Sequence, residues 1–398
     1  MAMDDVYERS MERHRETRGK IEVRSRMRLE SQEDLSLAYT PGVARPCEMI
    51  AESPGAAWDL TWKGRTVAVV SDGSAILGLG DLGALAALPV MEGKAALFRE
   101  FAGVDAVPVV LDSNDPKEII SIVRAIAPSY GGINLEDISA PRCFEIEEGL
   151  QEIGIPVLHD DQHGTAIVLL AALTNAARVL GRGFGELSIV INGAGAAGRA
   201  IAHLLTCVEG SDRCIPVGKL RICDSRGILY PGREHNDENK EELARLTNEE
   251  GEKGLLKDAL RGADVFIGVS RGDLLNRGDI ATMGKDAIVL AMANPIPEIM
   301  PEEARKGGAA IVGTGRSDFP NQVNNVLAFP GLFRGALEAR ATRFNSAMKL
   351  AAIDAIADAV EEPSPGRILP APFDRSVAVQ VARTVAQAAR DSGVCLEF

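Results

Sequence analysis

A glycine-rich turn between two apolar segments constrains the fold of this chain more than any other feature. Leu187 to Asn192 predicts a buried strand, and an apolar helix is predicted from Arg199 to Leu205. A G-x-G-x-x-G turn with a strand before it and a helix after it holds the pyrophosphate of a dinucleotide at the start of the helix. The turn between these two segments has that pattern, which predicts cofactor contacts at Gly193, Gly195, Ala196, Ala197 and Gly198.

Alternating strands and helices extend this pattern through the second half of the chain. Further strands are predicted at 219–223, 265–268, 288–291 and 309–312. Alternation of this kind is the pattern of a doubly wound parallel sheet. The fold class is therefore α/β, with a Rossmann-type domain that binds NAD or NADP.

An acid follows the second strand of that domain. Asp224 lies where such folds bind a ribose hydroxyl, although the gap from the glycines is long because 209–217 has the character of an insertion. Asp224 favours NAD, since an acid repels a 2′-phosphate, and Arg226 could offset that repulsion. The sequence leaves the choice between NAD and NADP open.

Length and charge exclude several classes of protein. A chain of 398 residues should form roughly two to three domains. The net charge of −14 argues against a nucleic-acid-binding face. We find no apolar signal region, no run of about 18 apolar residues and no C-x-x-C pair among the six cysteines. We therefore expect a cytoplasmic protein without a membrane span.

Two acids and two histidines lie between a short apolar strand and a helix. Ile155 to Leu158 predicts the strand, His159-Asp160-Asp161-Gln162-His163 follows, and Ala166 to Leu180 predicts the helix. Loops at the carboxyl ends of strands commonly carry the chemistry of α/β proteins. The alternative is that the acids cap the helix, but one cap does not explain two adjacent acids.

A second acidic pair, Glu136-Asp137, also lies at a predicted strand end. Neighbouring side chains diverge on strands and helices, so the backbone must bend there if both are to hold one ion. Together with one of Asp160 and Asp161, this pair would form an oxygen-rich site that suits Mg²⁺ or Mn²⁺ better than zinc.

A lysine and a tyrosine are further candidates for the chemistry. We expect Lys94 to start an apolar helix, where it is either an exposed surface residue or a base whose pKa is lowered near a metal. Tyr39 precedes Thr40-Pro41-Gly42, so we expect its ring to lie near the backbone at the edge of a turn. Packing is the more common role of such a tyrosine.

The remainder of the chain supports a division into three parts. Asn321, Asn324 and Asn325 can hydrogen-bond a carboxylate or amide, with turn structure as the competing explanation. Prolines between 363 and 372 mark a linker, and Asp374 to Asp391 predicts an amphipathic helix that packs back on the body. We predict a substrate and metal domain at 1–160, a dinucleotide-binding domain at 161–362 and a C-terminal linker and helix at 363–398.

From Ser36 to about Leu337 the chain resembles malic enzyme, in the short form found in bacteria and archaea. The resemblance rests on several unrelated motifs in the same order: Tyr39-Thr40-Pro41-Gly42-Val43-Ala44, the glycines from Gly78 to Gly83, Glu92-Gly93-Lys94, Leu135-Glu136-Asp137-Ile138, Asp160-Asp161-Gln162-His163-Gly164-Thr165, the Gly193 turn, Asn294-Pro295 and Asn324-Asn325.

The resemblance implies oxidative decarboxylation of L-malate to pyruvate and CO₂, with NAD or NADP and a divalent metal. It implies a homodimer in which Tyr39 serves the neighbour's site. By resemblance, the metal ligands are Glu136, Asp137 and Asp161; Lys94 is the general base, Tyr39 the acid that protonates enolpyruvate, and Asp160 the residue that orients Lys94. Asn294 and Asn325 bind malate together with Lys94, and Thr165 and Asn294 also contact the cofactor.

One position departs from the longer eukaryotic members, whose malate-binding arginine corresponds here to Ala75. Two rival functions also remain. A 2-hydroxy-acid dehydrogenase that stops at the keto acid would need no metal, and a dinucleotide-sensing protein would need neither Lys94 nor the acids. The carboxylate cluster counts against both.

Overall fold

Two mainly parallel sheets and the helices around them form the protein, as a computed structural model shows for residues 3–208, 210 and 214–396. The first half contains α1 (Met3–Thr17), α2 (Gln32–Ala38), α3 (Ala44–Glu52), α4 (Ala57–Leu60), β1 (Thr66–Ser71), α5 (Ala84–Leu97), β2 (Asp105–Val110), α6 (Pro116–Ile126), β3 (Gly132–Leu135), α7 (Arg142–Leu150), β4 (Val157–His159) and α8 (Asp160–Leu180). The second half contains β5 (Ser188–Asn192), α9 (Ala196–Thr206), β6 (Lys219–Asp224), β7 (Gly227–Ile228), α10 (Glu238–Thr247), α11 (Leu256–Ala259), β8 (Val265–Gly268), α12 (Arg277–Ile280), β9 (Ala287–Ala291), α13 (Pro301–Lys306), β10 (Ala309–Thr314), α14 (Phe329–Glu338), α15 (Ser346–Asp358) and α16 (Arg375–Asp391).

The first sheet has the strand order β2-β1-β3-β4, and all its strands are parallel. Val70 pairs with Leu135, and Leu135 pairs with His159, so the carboxyl ends of β1, β3 and β4 lie side by side. The residues that follow these strands are therefore brought to one edge of the sheet, where α/β proteins bind ligands.

The second sheet has the order β10-β9-β8-β5-β6-β7 and is parallel except for β7. This is the doubly wound arrangement, which confirms the predicted fold class. The helix after the glycine turn begins at Ala196, three residues earlier than predicted. A Cβ on Gly198 would lie 1.8 Å from the carbonyl oxygen of Gly193, so only glycine allows this close approach.

The C-terminal helices pack against each other and toward the first sheet. Gly331 and Gly335 of α14 lie against the backbone carbonyls of α16. Phe98, at the end of α5, makes edge-to-face contacts with Phe329 and Phe333 at centroid distances of 4.8 and 5.4 Å. The domain boundaries drawn from the sequence at 160/161 and 362/363 stay a prediction.

Two features differ from the expectations drawn from composition. Among the described residues α8 is long and apolar enough to cross a membrane, but 67% of its most apolar stretch is buried inside the protein, as in the core helix of a globular fold. Cys207 and Cys214 form a disulfide that the sparse cysteines did not suggest. Part of the predicted insertion at 209–217 lies outside the described residues.

Candidate active site

Lys94 is the centre of a buried polar cluster at the carboxyl edge of the first sheet. It lies in the last turn of α5, so the expectation that it starts a helix is wrong, because α5 begins at Ala84 and continues through Pro89 and Gly93. Its ammonium is 2.6 Å from Asp160 Oδ2. The surface-residue alternative is therefore wrong as well, since Lys94 is buried.

Charged neighbours decide the protonation state of Lys94. Burial lowers the pKa of its ammonium, but the carboxylates of Asp160 and Glu136 outweigh burial and hold that pKa above its ordinary value. Glu136 Oε1 is 2.8 Å from Nζ, and the Phe329 ring centroid is 4.1 Å away. These carboxylates favour the protonated lysine, and the lowered pKa expected beside a metal stays a prediction.

Three carboxylates converge next to this lysine. Glu136, Asp137 and Asp161 each offer an oxygen within 4.8 Å of the others. Asp137 has a φ of 53°, which is the backbone bend that two adjacent acids need in order to face one ion. The buried Asp137 Oδ2 has no hydrogen-bond partner among the described residues. An all-oxygen set with an unsatisfied buried carboxylate oxygen fits a hard divalent cation such as Mg²⁺ or Mn²⁺.

The raised pKa values of two of these acids also indicate a cation site. Burial, followed by repulsion from Asp161, raises the pKa of Asp137 to about 7. Burial also raises the pKa of Glu136 well above its ordinary value, against the opposing effect of Lys94. Like charges this close destabilise one another unless a proton or a cation neutralises them.

Neither acid of the Asp160-Asp161 pair caps α8. The helix begins at Asp160 itself, and its N-cap residue is His159, which makes no side-chain cap. Asp160 is fully buried, and its Oδ2 accepts hydrogen bonds from both Lys94 and Asn325 Nδ2 (3.1 Å). The capping alternative is therefore wrong, and Asp160 instead holds the lysine in place.

Of the three neighbouring asparagines only Asn325 faces this cluster. Its Nδ2 donates to Asp160, and its Oδ1 accepts a hydrogen bond from the Thr165 hydroxyl at 3.1 Å. Asn324 caps a 3₁₀ turn, and Asn321 bridges backbone groups of Val312, Pro365 and Ile368. The turn-structure explanation thus fits Asn324, whereas Asn321 ties together segments that are distant in the sequence.

The dinucleotide turn lies at the carboxyl end of β5, in the second sheet. At the end of β6, the carboxylate of Asp224 accepts hydrogen bonds from both terminal nitrogens of Arg233 and from the backbone N–H of Arg226, and Lys240 Nζ lies 3.2 Å away. Burial would raise the pKa of Asp224, but Arg233 and the other donors lower it to about 2. Both oxygens are therefore already engaged, and the predicted ribose contact stays a prediction.

Tyr39 and Asn294 are not hydrogen-bonded to the Lys94 cluster in the described part of the chain. Tyr39 follows α2 and is 68% exposed, so its ring does not pack against the described residues of its own chain. Asn294 follows β9 and is exposed. Its side chain packs against Gly315, since a Cβ on that glycine would lie only 2.8 Å from Asn294 Nδ2. Both assignments stay predictions.

Sequence reasoning missed three supporting residues. Glu147 of α7 is buried and accepts hydrogen bonds from His159 N, Gln162 and His163, which fixes the start of α8. Burial would raise the pKa of Glu147, but His163 helps to lower it to about 2. Asn134 donates to Glu136 at 2.9 Å. Glu147 is an acid among the apolar positions of α7, and Asn134 is a polar residue in a buried strand, so the sequence contained a signal for both. The third residue, Phe329, packs its ring against the Lys94 ammonium, and no sequence signal indicated this contact.

Two family models match the chain: Malic enzyme, N-terminal domain, over residues 18–151, and Malic enzyme, NAD binding domain, over residues 162–390. A bifunctional malic/malolactic enzyme of Bacillus subtilis is 53% identical over 98% of this chain and 94% of its own length. An NAD-dependent malic enzyme of Geobacillus stearothermophilus is 52% identical over 94% of this chain and 78% of its own. The crystal structure of malic enzyme from Pyrococcus horikoshii superposes with a TM-score of 0.94 at 48% identity, covering 99% of this chain and 92% of that one.

Proposed function

The chain belongs to the malic enzyme family, and from that premise we propose that it oxidatively decarboxylates L-malate to pyruvate and CO₂ with reduction of NAD or NADP. One observation carries the proposal at the level of residues. Lys94 lies between Asp160 and Glu136, and Glu136 also belongs to the three-carboxylate cluster. A proton acceptor and a cation site therefore share one carboxylate.

Glu136, Asp137 and Asp161 would hold Mg²⁺ or Mn²⁺, which supplies Lewis-acid chemistry on the oxygens of malate when bound. Lys94 would take the proton of the C2 hydroxyl, the nicotinamide would supply hydride acceptance when bound, and Asp160 holds the lysine for the proton transfer. Because two carboxylates raise the pKa of Lys94, positive charge at the acids must lower it before the lysine can act as a base.

The later steps need an acid and groups that bind malate. We assign protonation of the enolpyruvate carbon to Tyr39 and malate binding to Asn294 and Asn325. Asn325 already shares Asp160 with Lys94, so a substrate bound there would lie beside the base. Thr165 positions Asn325 through its hydroxyl. We assign the cofactor pyrophosphate to the glycine turn and the adenosine ribose to Asp224.

Replacement of Asp161 with Ala tests these assignments against the two rival functions. Malate-dependent reduction of the nicotinamide and calorimetric Mn²⁺ binding should both be lost. A dehydrogenase without a metal would retain its activity, and a sensor would show none even in the wild type. Asp358→Ala is the control, because its exposed carboxylate pairs with Arg178 in the last turn of α8, at the opposite end of that helix from Asp161.

We also propose that the protein is a homodimer in which Tyr39 serves the partner's site. Helices α2 and α3 bury no residue of their own, and Leu35, Leu37, Val43 and Met49 are exposed beside Tyr39. Lys94→Met and Tyr39→Phe should each be inactive, while a mixture refolded together should regain activity. Activity that stays absent in proven heterodimers would place Tyr39 in its own subunit's site. We keep the cytoplasmic location as a prediction.

A further inference from the structure

Glu298 is a fully buried carboxylate at the carboxyl edge of the second sheet, outside the cluster around Lys94. Its Oε1 accepts the backbone N–H of Ser270 at 3.0 Å, and its Oε2 accepts the backbone N–H of Ala293 at 3.0 Å. In the described part of the chain no lysine or arginine forms an ion pair with it. A buried charge without a cation is costly, so these directed N–H donors must stabilise it.

The carboxylate joins the loops that follow two strands and is linked through Ser270 to the end of a third strand. Ser270 follows β8 and Ala293 follows β9. The Ser270 hydroxyl lies 3.5 Å from Glu298 Oε1 and accepts a hydrogen bond from Asn192, the last residue of β5, at 2.7 Å. The main chain reinforces the link, because the carbonyl of Glu298 accepts the N–H groups of Leu274 and Leu275.

Topology identifies which part of the cofactor these loops face. The pyrophosphate turn follows β5, and the ribose position lies at the end of β6, on one side of β5. A dinucleotide bound across the switch point therefore extends its other half over β8 and β9. Those are the two strands whose loops Glu298 holds.

We propose that Glu298 is a positioning residue that fixes the nicotinamide-facing loops after β8 and β9 and, through Ala293, the adjacent Asn294. The malate part of this inference rests on the proposed function, and the nicotinamide part does not. Glu298 acts through these loops and does not itself touch substrate.

The geometry requires a carboxylate at this position. Both oxygens accept an N–H, so a glutamine would place its own NH₂ against one of these donors and lose that hydrogen bond. There is little room for a shift, because a Cβ on Gly268 would lie 2.3 Å from Glu298 Cδ. Glu298→Gln therefore keeps the size of the side chain and removes one tether.

Asp264→Asn is the matched control. The carboxylate of Asp264 also joins β5 to β8, since Oδ2 accepts the N–H of Ser188 at 2.9 Å, but it lies at the amino ends of these strands. Both changes remove a carboxylate tether between strands of one sheet. Only Glu298 lies at the edge that binds the cofactor.

The experiment compares kcat/KM for malate and two affinities: that for the reduced nicotinamide nucleotide and that for the matching ADP-ribose, which lacks nicotinamide. Glu298→Gln should lower kcat/KM about 10- to 100-fold. It should lower the affinity for the reduced nucleotide about tenfold and leave the affinity for ADP-ribose within about twofold of the wild-type value. Asp264→Asn should stay within about twofold in all three measurements, even if it lowers thermal stability equally.

Several results would overturn the inference. One is that Glu298→Gln has the same kcat/KM and the same two affinities as the wild type or as Asp264→Asn. Another is that Glu298→Gln loses affinity for ADP-ribose as much as it loses affinity for the reduced nucleotide. If Glu298→Gln does not fold, Glu298→Asp, whose carboxylate is one methylene shorter and cannot keep both backbone N–H donors at 3.0 Å, should show the same selective loss of affinity for the reduced nucleotide, and unchanged binding would refute the inference. If the wild type does not turn over malate, the proposed function fails, while the two nucleotide affinities still test Glu298.

Discussion

Replacing Gly164 with alanine should disable Lys94 without touching it. Gly164 lies one helical turn after Asp160 in α8. A Cβ built on Gly164 would lie 1.8 Å from Asp160 Oδ1, whereas real Cβ contacts essentially never fall below 3.0 Å. The separation must therefore grow by about 1.2 Å, and Asp160 is fully buried, so its carboxylate has no solvent to move into.

This displacement has a calculable effect on catalysis. Asp160 Oδ2 holds Lys94 at 2.6 Å and Asn325 at 3.1 Å, and neither contact survives a shift of an ångström with its present geometry. Misplacement of that size costs about 100-fold in rate, or about 2.7 kcal/mol of transition-state stabilisation. Overpacking costs about 1–3 kcal/mol of folding free energy, offset by up to about 1 kcal/mol from the better helix propensity of alanine.

Gly93→Ala provides the control, because Gly93 adjoins Lys94 inside α5 and a Cβ there meets no atom within 4 Å. Initial rates of nicotinamide reduction with malate and Mn²⁺, together with thermal unfolding, compare the two variants. Gly164→Ala should lose about 100-fold in kcat/KM, and Gly93→Ala should stay within about twofold. Near-normal activity of Gly164→Ala, or an equal loss in Gly93→Ala, would refute this account of Asp160.

Three further predictions concern the base, the metal and the cofactor. Lys94→Met should lower kcat by about 10³-fold or more while calorimetric Mn²⁺ binding persists; loss of Mn²⁺ binding would show instead that the lysine only organises the acids. Because the pKa of Asp137 is raised to about 7 in the metal-free protein, a proton competes with the metal below that pH. Mn²⁺ affinity should therefore fall as the pH drops through 7, and an affinity independent of pH between 6 and 8 (roughly one unit on each side of that pKa) would contradict this. Asp224→Ala removes a negative charge and releases Arg233, so the ratio of kcat/KM for NADP to that for NAD should rise about tenfold; an unchanged ratio would place Asp224 away from the ribose.

The sequence predicted those parts of the protein that depend on local patterns. The glycine turn, its flanking strand and helix, and the two pairs of acids each lie within a few residues, and parallel strands bring their carboxyl ends to one edge. This geometry grouped Glu136 and Asp137 with one acid of the Asp160-Asp161 pair, and the family resemblance selected Asp161. The structure brings the oxygens of Glu136, Asp137 and Asp161 together.

Contacts between residues far apart in the chain could not be predicted from the sequence. Asn325 meets Asp160 across 165 positions, and no periodicity encodes that pairing. The fit of Asp160 against Gly164 and the tethers of Glu298 depend on backbone geometry, which short patterns do not specify. The position of Lys94 was misjudged because Pro89 lies inside a helix, where proline is rare.

The central claim is that a metal and Lys94 act together on malate, and product analysis tests it most directly. Reduction of NAD and NADP is followed with L-malate and Mn²⁺, with and without EDTA, and pyruvate is measured at the end. We expect reduction that requires the metal, with one pyruvate formed for each nicotinamide reduced. Reduction that continues in EDTA and yields oxaloacetate would contradict the claim and identify a simple dehydrogenase.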